Sequence, residues 1–346
     1  MADHAVSVVI PTYNRAKLIG RAIKSVLANV SADDEILVID DGSQDETAAV
    51  VAKFGPRVRF LRVPHGGAGR ARNHGIRESR NPLVAFLDSD DEWLPNKLLL
   101  QRALMQRRPE LVYCFSEFEF KYEEGHVAHN HLKYWHNDPR PWSEILAPGA
   151  AYSSLAGLPE GITDFNVYIG DMYLPTMLRS YVFTSTVIVR KQAAGVEFRF
   201  AEDIPTYEDR ECFGRISRMG PAAFMNCETA RQRGHGGPRL TDANTVACAR
   251  AELTIVLRVW GSNEAFMVRH ANPYRQHVDN CRRVIARGLI LDGQIEGARQ
   301  MLAQMSHPPL TYQVLTALGV RSANLVVGRY RQLRRLQRSV AGRLFK

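Results

Sequence analysis

The sequence predicts an α/β protein built on a mostly parallel sheet, and three observations lead to that prediction. Short apolar runs rich in valine and isoleucine alternate with segments of helical periodicity along the first third of the chain. The runs are almost continuously apolar, which is typical of parallel strands buried on both faces, and the helical segments are long enough to cross over between them. Polar motifs follow three of the runs, at the strand ends where open parallel sheets bind ligands.

The predicted elements follow one another in alternating order. Strands are expected at residues 6–10, 36–39, 58–63, 83–87 and 111–115. Helices are expected at residues 15–27, 45–54, 70–79 and 98–107. Further along, the pattern predicts a strand at 184–190, a helix at 208–219 and a strand at 222–225.

The chain is predicted to have two regions. Its 346 residues suit one large domain with an appendage, or two domains. Residues 1–240 are assigned to the sheet-containing domain, in which residues 121–180 form an irregular insertion without a steady period. Residues 241–346 are predicted to be helical, with helices at 246–259, 277–290 and 294–305 and a basic amphipathic helix at the end.

The net charge of +9 suggests an anionic partner such as nucleotide phosphates, nucleic acid or an acidic membrane surface. The charge is uneven, because no acid follows Glu296 while arginines continue to Arg343. In residues 322–346 an apolar stripe lies among these arginines, which suits an anionic membrane surface and equally suits a helix packed on the domain. Nucleic acid is the third alternative and is not expected as a partner.

The cysteines and the N-terminus bear on the compartment. Five cysteines, an odd number without a C-x-x-C pair, argue against a disulfide framework or a zinc site and for a reducing environment. The N-terminus lacks a basic region followed by a long apolar run, and no stretch is apolar for long enough to span a bilayer. We therefore expect no signal peptide and a cytoplasmic protein, either soluble or peripheral at the inner face of the membrane.

The segment Asp88-Ser89-Asp90-Asp91, after the fourth strand, is the main candidate for a metal site. Carboxylates at alternate positions past a buried strand can turn toward one cleft, and Mg²⁺ and Mn²⁺ prefer oxygen ligands and bridge to phosphates. The alternative is an aspartate that caps a helix. The position of this segment beside other polar strand ends favours a metal site formed by Asp88 and Asp90, and we expect a structural role for Asp91.

Two further motifs predict nucleotide contacts. Asp40 and Asp41 end the second strand, where a carboxylate can bind a base or ribose or can cap the next helix. The loop at 65–73 combines glycines with Arg70 and Arg72, which suits a phosphate but also a plain surface connection. It is not a dinucleotide fingerprint, because Arg72 stands where the third glycine belongs.

Two groups are open to both a functional and a structural interpretation. An acid at the start of the helix predicted at 208–219 is a candidate general base, although a capping acid explains the spacing better. The histidines His126, His129, His131 and His136 lie in the irregular segment without ligand-like partners in the sequence, which favours a solvated loop over a metal site.

Together these motifs resemble the family 2 inverting glycosyltransferases, which have the GT-A fold. The matching segments, residues 7–15, 38–43, 69–75 and 85–91, lie in the first third of the chain, and a weaker match continues at Glu208-Asp209. The resemblance implies a nucleotide-sugar site made of Pro11, Thr12, Tyr13, Asp40, Asp41, Arg72, Asp88 and Ser89. It implies Asp88, Asp90 and His235 as metal ligands, with Asp90 nearer the metal, and Asp209 as the catalytic base.

The reaction that the resemblance implies is a single displacement. Asp209 would take a proton from an acceptor hydroxyl, whose oxygen attacks the anomeric carbon opposite the nucleoside diphosphate, so the configuration inverts. The cofactor would be Mn²⁺ or Mg²⁺, the donor a nucleotide sugar with a UDP-sugar favoured, and the acceptor a saccharide or a lipid-linked molecule met by residues 121–180. Synthesis of a cell-surface polysaccharide or glycoconjugate is the expected context.

Other classes of protein fit the sequence less well. A phosphatase of the D-x-D type carries its nucleophilic aspartate at the end of the first strand, where this chain has Pro11-Thr12-Tyr13-Asn14. A nucleotidyltransferase usually has a glycine-rich phosphate loop at that point, and this chain has none there. A nucleotide-sugar-binding protein without catalysis is the remaining alternative, and the intact set of acids argues against it.

Overall fold

The computed structural model describes residues 4–204, 206–234 and 245–317. The chain divides after Pro238 into two compact units, and each is described by itself. In the described ranges, the first unit contains a mixed sheet with helices and the second unit contains helices. None of the helices in these ranges is both long enough and apolar enough to cross a membrane.

The first unit is organised around one mixed sheet. Its strands are β1 (Val6–Thr12), β2 (Glu35–Asp40), β3 (Val58–Arg62), β4 (Leu83–Phe86), β5 (Glu92–Trp93), β6 (Tyr113–Lys121), β7 (Val127–Ala128), β8 (Ala150–Ala151), β9 (Asn166–Gly170), β10 (Ile188–Arg190) and β11 (Ala222–Arg233). The spatial order is β3-β2-β1-β4-β10-β6-β11-β9-β8, with β5 on β11 and β7 on β6. The pairs among β1 to β4 are parallel, as is β6 with β11, whereas β10 is antiparallel to both of its neighbours.

Helices in this unit connect the strands and cover the sheet. They are α1 (Ile19–Leu27), α2 (Thr47–Ala52), α3 (Ala68–Glu78), α4 (Lys97–Arg107), α5 (Leu132–His136), α6 (Trp142–Ile145), α7 (Tyr152–Ala156), α8 (Tyr173–Leu178), α9 (Lys191–Ala194) and α10 (Glu208–Ile216). Helix α1 buries Ile19, Ala22, Ile23 and Val26, the face that its helical spacing predicts. The predicted α/β fold with a mostly parallel sheet is therefore confirmed.

The strand predicted at residues 184–190 is correct only at its end. Thr184–Thr186 form a 3₁₀ turn, and the strand begins at Ile188. The turn is stabilised by its own hydroxyl groups: Thr186 Oγ1 donates to the Phe183 carbonyl at 2.7 Å, and Ser185 Oγ donates to Asp91 at 2.7 Å. These hydroxyl hydrogen bonds, one local and one to the distant Asp91, thus outweigh the strand preference of the β-branched residues.

Strand β11 is much longer than the predicted strand at 222–225, because it extends to Arg233 beside β6. Its pairing with β6 shifts register on both sides of Glu228, which indicates a bulge. The second half is polar and lacks the apolar alternation on which a strand prediction depends, so pairing with β6 is what defines it.

The second unit is helical in its described residues. Its helices are α11 (Thr245–Val259), α12 (Glu264–Arg269), α13 (Ala271–Leu291), α14 (Ile295–Ala303) and α15 (Leu310–Ala317). Ala249, Ile285, Leu289 and Ala298 form a buried cluster between α11, α13 and α14. Helix α13 starts earlier than predicted, because Pro273 falls in its first turn, where proline is tolerated. The basic helix predicted at 322–346 lies outside the described residues.

Candidate active site

The polar motifs at the ends of the first, second and fourth strands lie at one edge of the sheet. Strands β2, β1 and β4 are neighbours and run parallel, so their carboxyl ends point the same way. In register, Thr12 at the end of β1 pairs with Asp40 at the end of β2. Asp88 follows β4, whose Phe86 pairs with Val9. This edge is where an open α/β sheet binds its ligand.

The segment after β1 combines a buried hydroxyl with an exposed aromatic ring. Thr12 is buried, and its Oγ1 has no hydrogen-bond partner among the described residues. The side chain of Tyr13 is 40% exposed and stacks on His65, with 4.4 Å between the ring centroids. A buried hydroxyl without a hydrogen-bond partner beside an exposed ring suits a polar ligand with a flat base. Contacts of Thr12 and Tyr13 with a nucleotide stay a prediction.

Asp40 shapes the turn that follows β2. Its Oδ1 accepts a hydrogen bond from the Ser43 amide at 3.1 Å, and its Oδ2 is 3.5 Å from Arg62 Nε. Ser43 in turn accepts from the Asn14 amide through Oγ at 2.8 Å, which ties the β2 turn to the end of β1. Asp40 therefore stabilises the turn and does not cap the next helix, which begins at Thr47, and its side chain is fully buried.

Asp41 holds the glycine-rich loop. Its two carboxylate oxygens accept hydrogen bonds from the amides of Gly66 and Gly67, each at 2.8 Å, and Oδ2 is 2.9 Å from Nδ1 of His65. Each carboxylate oxygen can accept more than one hydrogen bond, so these contacts leave acceptor capacity for a ligand. Asp41 thus places the loop against the strand-end edge.

Asp88 and Asp90 are the partly exposed acids of the D-x-D segment, with side chains 27% and 23% exposed. Asp88 Oδ1 accepts from Arg72 at 2.7 Å, and Asp90 Oδ2 is 3.5 Å from the guanidinium of Arg15. Ser89 between them is buried. Burial raises the pKa of Asp88, and the charge of Arg72 opposes that rise.

Asp91 has the structural role that was predicted, through contacts with the turn at 184–186. Its Oδ2 accepts from Ser185 Oγ at 2.7 Å, and the same Oγ accepts from the Asp88 amide at 3.1 Å. The Ser185 carbonyl also accepts from Trp93 Nε1 at 2.8 Å. One buried serine therefore fixes the backbone of the D-x-D segment.

Arg72 joins the D-x-D segment to the start of α10. Its guanidinium donates to Asp88 and to Glu208, both at 2.7 Å, and lies 5.2 Å from the ring centroid of Phe200. Burial disfavours the charge, but the two carboxylates outweigh it and raise the pKa of Arg72. Arg72 therefore stays charged, and it supplies a permanent positive charge beside the D-x-D acids.

Asp209 is the second residue of α10, next to this bridge. Its Oδ1 accepts from the Arg210 amide at 2.7 Å, and its Oδ2 is 3.3 Å from the Thr184 hydroxyl. Burial and the charge of Glu208 raise the pKa of Asp209 to about 6. A carboxylate with a raised pKa at a ligand-binding edge has the properties of a general base.

The D-x-D acids fit a hard divalent cation. Mg²⁺ and Mn²⁺ typically use one or two protein carboxylates together with water and substrate phosphates, rather than a complete protein cage. Asp88 and Asp90 supply two partly exposed carboxylates, and the charge of Arg72 beside Asp88 also suits a phosphate. His235, the third predicted ligand, lies outside the described residues.

The histidines of the insertion differ from the predicted solvated loop. His129 is exposed, but its Nδ1 is 2.9 Å from Glu228 and 3.7 Å from Glu119, so it does have acidic partners. His131 stacks on Phe120, with ring centroids 5.1 Å apart. His136 is buried, and burial lowers its pKa to about 4. A solvated loop is therefore wrong for His131 and His136, whereas His129 is exposed as expected but has acidic partners. Strands β6 and β11 supply these acids and Phe120, and the rings of Trp142 and Tyr181 pack against His136.

The strand order and the polar strand ends define an α/β domain of the GT-A type. The fold agrees with that of solved structures: the Staphylococcus aureus TarS fragment 1–349, in complex with UDP-GlcNAc, has a TM-score of 0.59 at 17% identity and covers 95% of this chain and 92% of its own. Residues 7–154 match the model for glycosyl transferase family 2. This match to the first part of the chain confirms the resemblance seen in its motifs.

Curated relatives are similar to part of the chain. The Escherichia coli protein WfgD, a UDP-Glc:alpha-D-GlcNAc-diphosphoundecaprenol beta-1,3-glucosyltransferase, is 36% identical over 121 residues, which are 34% of this chain and 47% of WfgD. The succinoglycan biosynthesis protein ExoO of Rhizobium meliloti is 43% identical over 102 residues, 28% of this chain and 29% of ExoO. The matched region is thus less than half the length of either relative.

Proposed function

We propose that this protein is an inverting glycosyltransferase that moves a sugar from a nucleotide-diphosphate sugar to an acceptor hydroxyl. The observation that supports this most is the bridge from Asp88 through Arg72 to Glu208, with both contacts at 2.7 Å. It holds the acids at the end of β4 in a fixed relation to the start of α10, where Asp209 lies. A donor site and a general base need such a fixed relation.

Different side chains of this protein have different roles in the proposed reaction. Asp209 accepts the proton of the acceptor hydroxyl, and the oxygen attacks the anomeric carbon from the face opposite the leaving diphosphate. Thr12, Tyr13 and Asp41 bind the nucleotide at the strand-end edge. Arg72 keeps a positive charge near the departing phosphates, where negative charge develops.

Asp88 and Asp90 would hold a divalent cation, with Mn²⁺ and Mg²⁺ the candidates and His235 as a further ligand. When bound, that ion supplies charge neutralisation for the diphosphate leaving group. The contacts of Asp88 with Arg72 and with Ser185 hold its side chain and its backbone in place for this role.

The identity of the substrates is proposed from the relatives. WfgD uses UDP-glucose by its name and is 36% identical over 121 residues, so a UDP-sugar is the favoured donor. WfgD acts on a diphosphoundecaprenol-linked sugar by the same name, and ExoO takes part in succinoglycan biosynthesis. We therefore propose a saccharide or lipid-linked acceptor and a role in polysaccharide or glycoconjugate synthesis, at the cytoplasmic face of the membrane.

The proposed role of Asp209 is tested by Asp209→Asn. Removing a general base typically slows the chemical step by about 10²–10⁴-fold, and the neutral amide should leave donor binding within about threefold of the wild type. Transfer is measured by release of the nucleoside diphosphate, and donor affinity by calorimetry. The matched control is Asp33→Asn, at an exposed position outside the site. Near-normal transfer by Asp209→Asn would remove the residue from this role.

A donor screen tests the class of reaction. Nucleotide sugars and nucleoside triphosphates are compared by thermal shift with and without Mn²⁺, and by product analysis with each acceptor. A UDP-sugar that stabilises the protein only in the presence of Mn²⁺ supports the proposal. Stabilisation by triphosphates together with release of pyrophosphate would instead indicate a nucleotidyltransferase.

A further inference from the structure

The second unit contains a side-chain cluster that the proposed transfer reaction does not use. It joins Glu252 on α11 to His277 and Cys281 on α13, and one potential ligand atom of each residue lies within 4.8 Å of the other two. Nε2 of His277 is 2.9 Å from a carboxylate oxygen of Glu252. A nitrogen, a sulfur and an oxygen therefore converge on one point.

Helix geometry explains why these side chains meet. His277 and Cys281 are four residues apart on α13, so they lie on the same face, one turn apart. Helix α11 packs beside α13, with Ala249 and Ile285 in their shared buried cluster. Glu252 is on the α11 face that meets α13, as its contact with His277 indicates.

Burial distinguishes the cluster from a surface ion pair. The His277 side chain is 11% exposed, and Cys281 is buried. Although Nε2 is close to Glu252, the contact lacks hydrogen-bond geometry, and this atom has no hydrogen-bond partner among the described residues. A buried imidazole nitrogen without a hydrogen bond is unusual, and a metal ion would satisfy it.

We propose that Glu252, His277 and Cys281 bind a transition-metal ion, with Zn²⁺ as the best match. Zinc takes His nitrogen, Cys sulfur and carboxylate oxygen at bond lengths of about 2.0–2.3 Å, which separates tetrahedral ligand atoms by roughly 3.3–3.8 Å. The cluster therefore needs only small side-chain movements. Three protein ligands leave a fourth position for water or an exogenous ligand.

The binding step is balanced by release of a proton. The S–H bond of Cys281 breaks, its electron pair forms the bond from sulfur to metal, and the proton passes to the buffer. His277 contributes the lone pair of Nε2 in its neutral form, and Glu252 contributes a carboxylate oxygen. The sequence indicates no such site by spacing, because Glu252 comes from a different helix.

The test is a Co²⁺ titration of the full chain in the presence of excess Mg²⁺, which occupies oxygen-only sites. We expect a charge-transfer band from thiolate to cobalt in the wild type, which Zn²⁺ abolishes by displacement. Cys281→Ser should lose the band, and His277→Gln and Glu252→Gln should weaken metal binding at least about tenfold. The matched control is Cys248→Ser on α11, outside the three-residue set, which should bind like the wild type.

Three results would overturn this proposal: no band in the wild type, a band that survives Cys281→Ser, or a loss with Cys248→Ser as large as with Cys281→Ser. Circular dichroism monitors folding, and if Cys281→Ser does not fold, an unchanged metal affinity in His277→Gln overturns the proposal by itself. The band requires a thiolate and no nucleotide sugar, so the outcome is independent of whether Asp209 acts as a base.

Discussion

The guanidinium of Arg72 is shared by two carboxylates that come from distant parts of the first unit. Asp88 follows β4, and Glu208 begins α10, 136 positions away from Arg72. The arginine is almost fully buried, so each carboxylate depends on it for compensation of its charge. Removal of one partner from a buried ionic group leaves an uncompensated charge, which costs more than the ion pair itself is worth.

We expect Arg72→Met to lower the free energy of unfolding by about 3 kcal/mol or more, because two carboxylates lose their shared partner. Urea denaturation followed by circular dichroism measures the change. The matched control is Arg70→Met, which lies on the exposed face of the same helix and should stay within about 0.5 kcal/mol of the wild type. Equal effects of the two substitutions would contradict the role of the bridge.

The pH dependence of transfer provides a second test at this scale. The pKa of Asp209 is raised to about 6, so the residue becomes a proton-accepting carboxylate only above that pH. We expect kcat/KM to fall about tenfold per pH unit below pH 6, whereas an ordinary aspartate would keep its charge down to about pH 4. The residual kcat/KM of Asp209→Asn should not show this decrease below pH 6. A wild-type profile that is flat from pH 7 to 5 would argue against Asp209 as the base.

At the scale of elements, close contact between α3 and β1 positions Arg72. Gly75 on α3 faces Val9 on β1, and a Cβ atom built on the glycine would overlap both methyl groups of the valine. Val9 is fully buried in the core, so it has little room to move. The approach of this helix to the sheet therefore requires a glycine at this position.

We expect Gly75→Ala to destabilise the protein by about 1–3 kcal/mol through this overlap. In the double variant Gly75→Ala with Val9→Ala, the new methyl group occupies space that the valine vacates. The two changes should then cost less together than the sum of their separate costs, by roughly 0.5–3 kcal/mol in a double-mutant cycle of unfolding free energies. Additive costs would contradict this packing.

How well the sequence predicts each element depends on what stabilises it. Strands β1, β2 and β4 are buried on both faces, which imposes the continuous apolar runs that predict them. The turn at Thr184–Thr186 is stabilised by hydroxyl contacts with distant partners, and the polar half of β11 is stabilised by pairing with β6. The local sequence pattern of these segments does not indicate contacts with residues that are distant in the chain.

The same distinction holds for the candidate site. Asp88 and Asp90 can be selected from local sequence because their residue type and their position after a strand follow from it. Asp209 is selected only through the resemblance, because its spacing at the start of a helix favours a capping acid. Ser185 was missed as a support of the D-x-D segment, and its only signal was a hydroxyl run within an apolar segment. The pairing of Arg72 with Glu208 spans too much of the chain for periodicity to indicate it.

At the scale of the whole molecule, the first unit holds the candidate active site and the second unit holds the candidate metal cluster. Residues 322–346 lie outside the described ranges and carry six arginines and one lysine without a single acid. A basic residue close to an anionic surface contributes about 1 kcal/mol to binding, so this segment could provide most of a membrane affinity.

We expect the full chain to co-sediment with vesicles that contain anionic lipid, and a truncation before Ser322 to remain in the supernatant. Binding should weaken with added salt, because the attraction is electrostatic. Vesicles of neutral lipid serve as the control, and donor binding of the truncated protein verifies its folding. Equal sedimentation of the two proteins would exclude a membrane role for residues 322–346.

The shared guanidinium also limits how the sequence of this protein can diverge. A lineage that replaces Arg72 leaves Asp88 and Glu208 without their counter-charge at once, so a single substitution passes through a less stable intermediate. Compensating changes at the two acids would have to arise nearly together. We therefore expect the residues at these three positions to be conserved together among homologues, even where residues 121–180, the proposed acceptor region, differ in sequence.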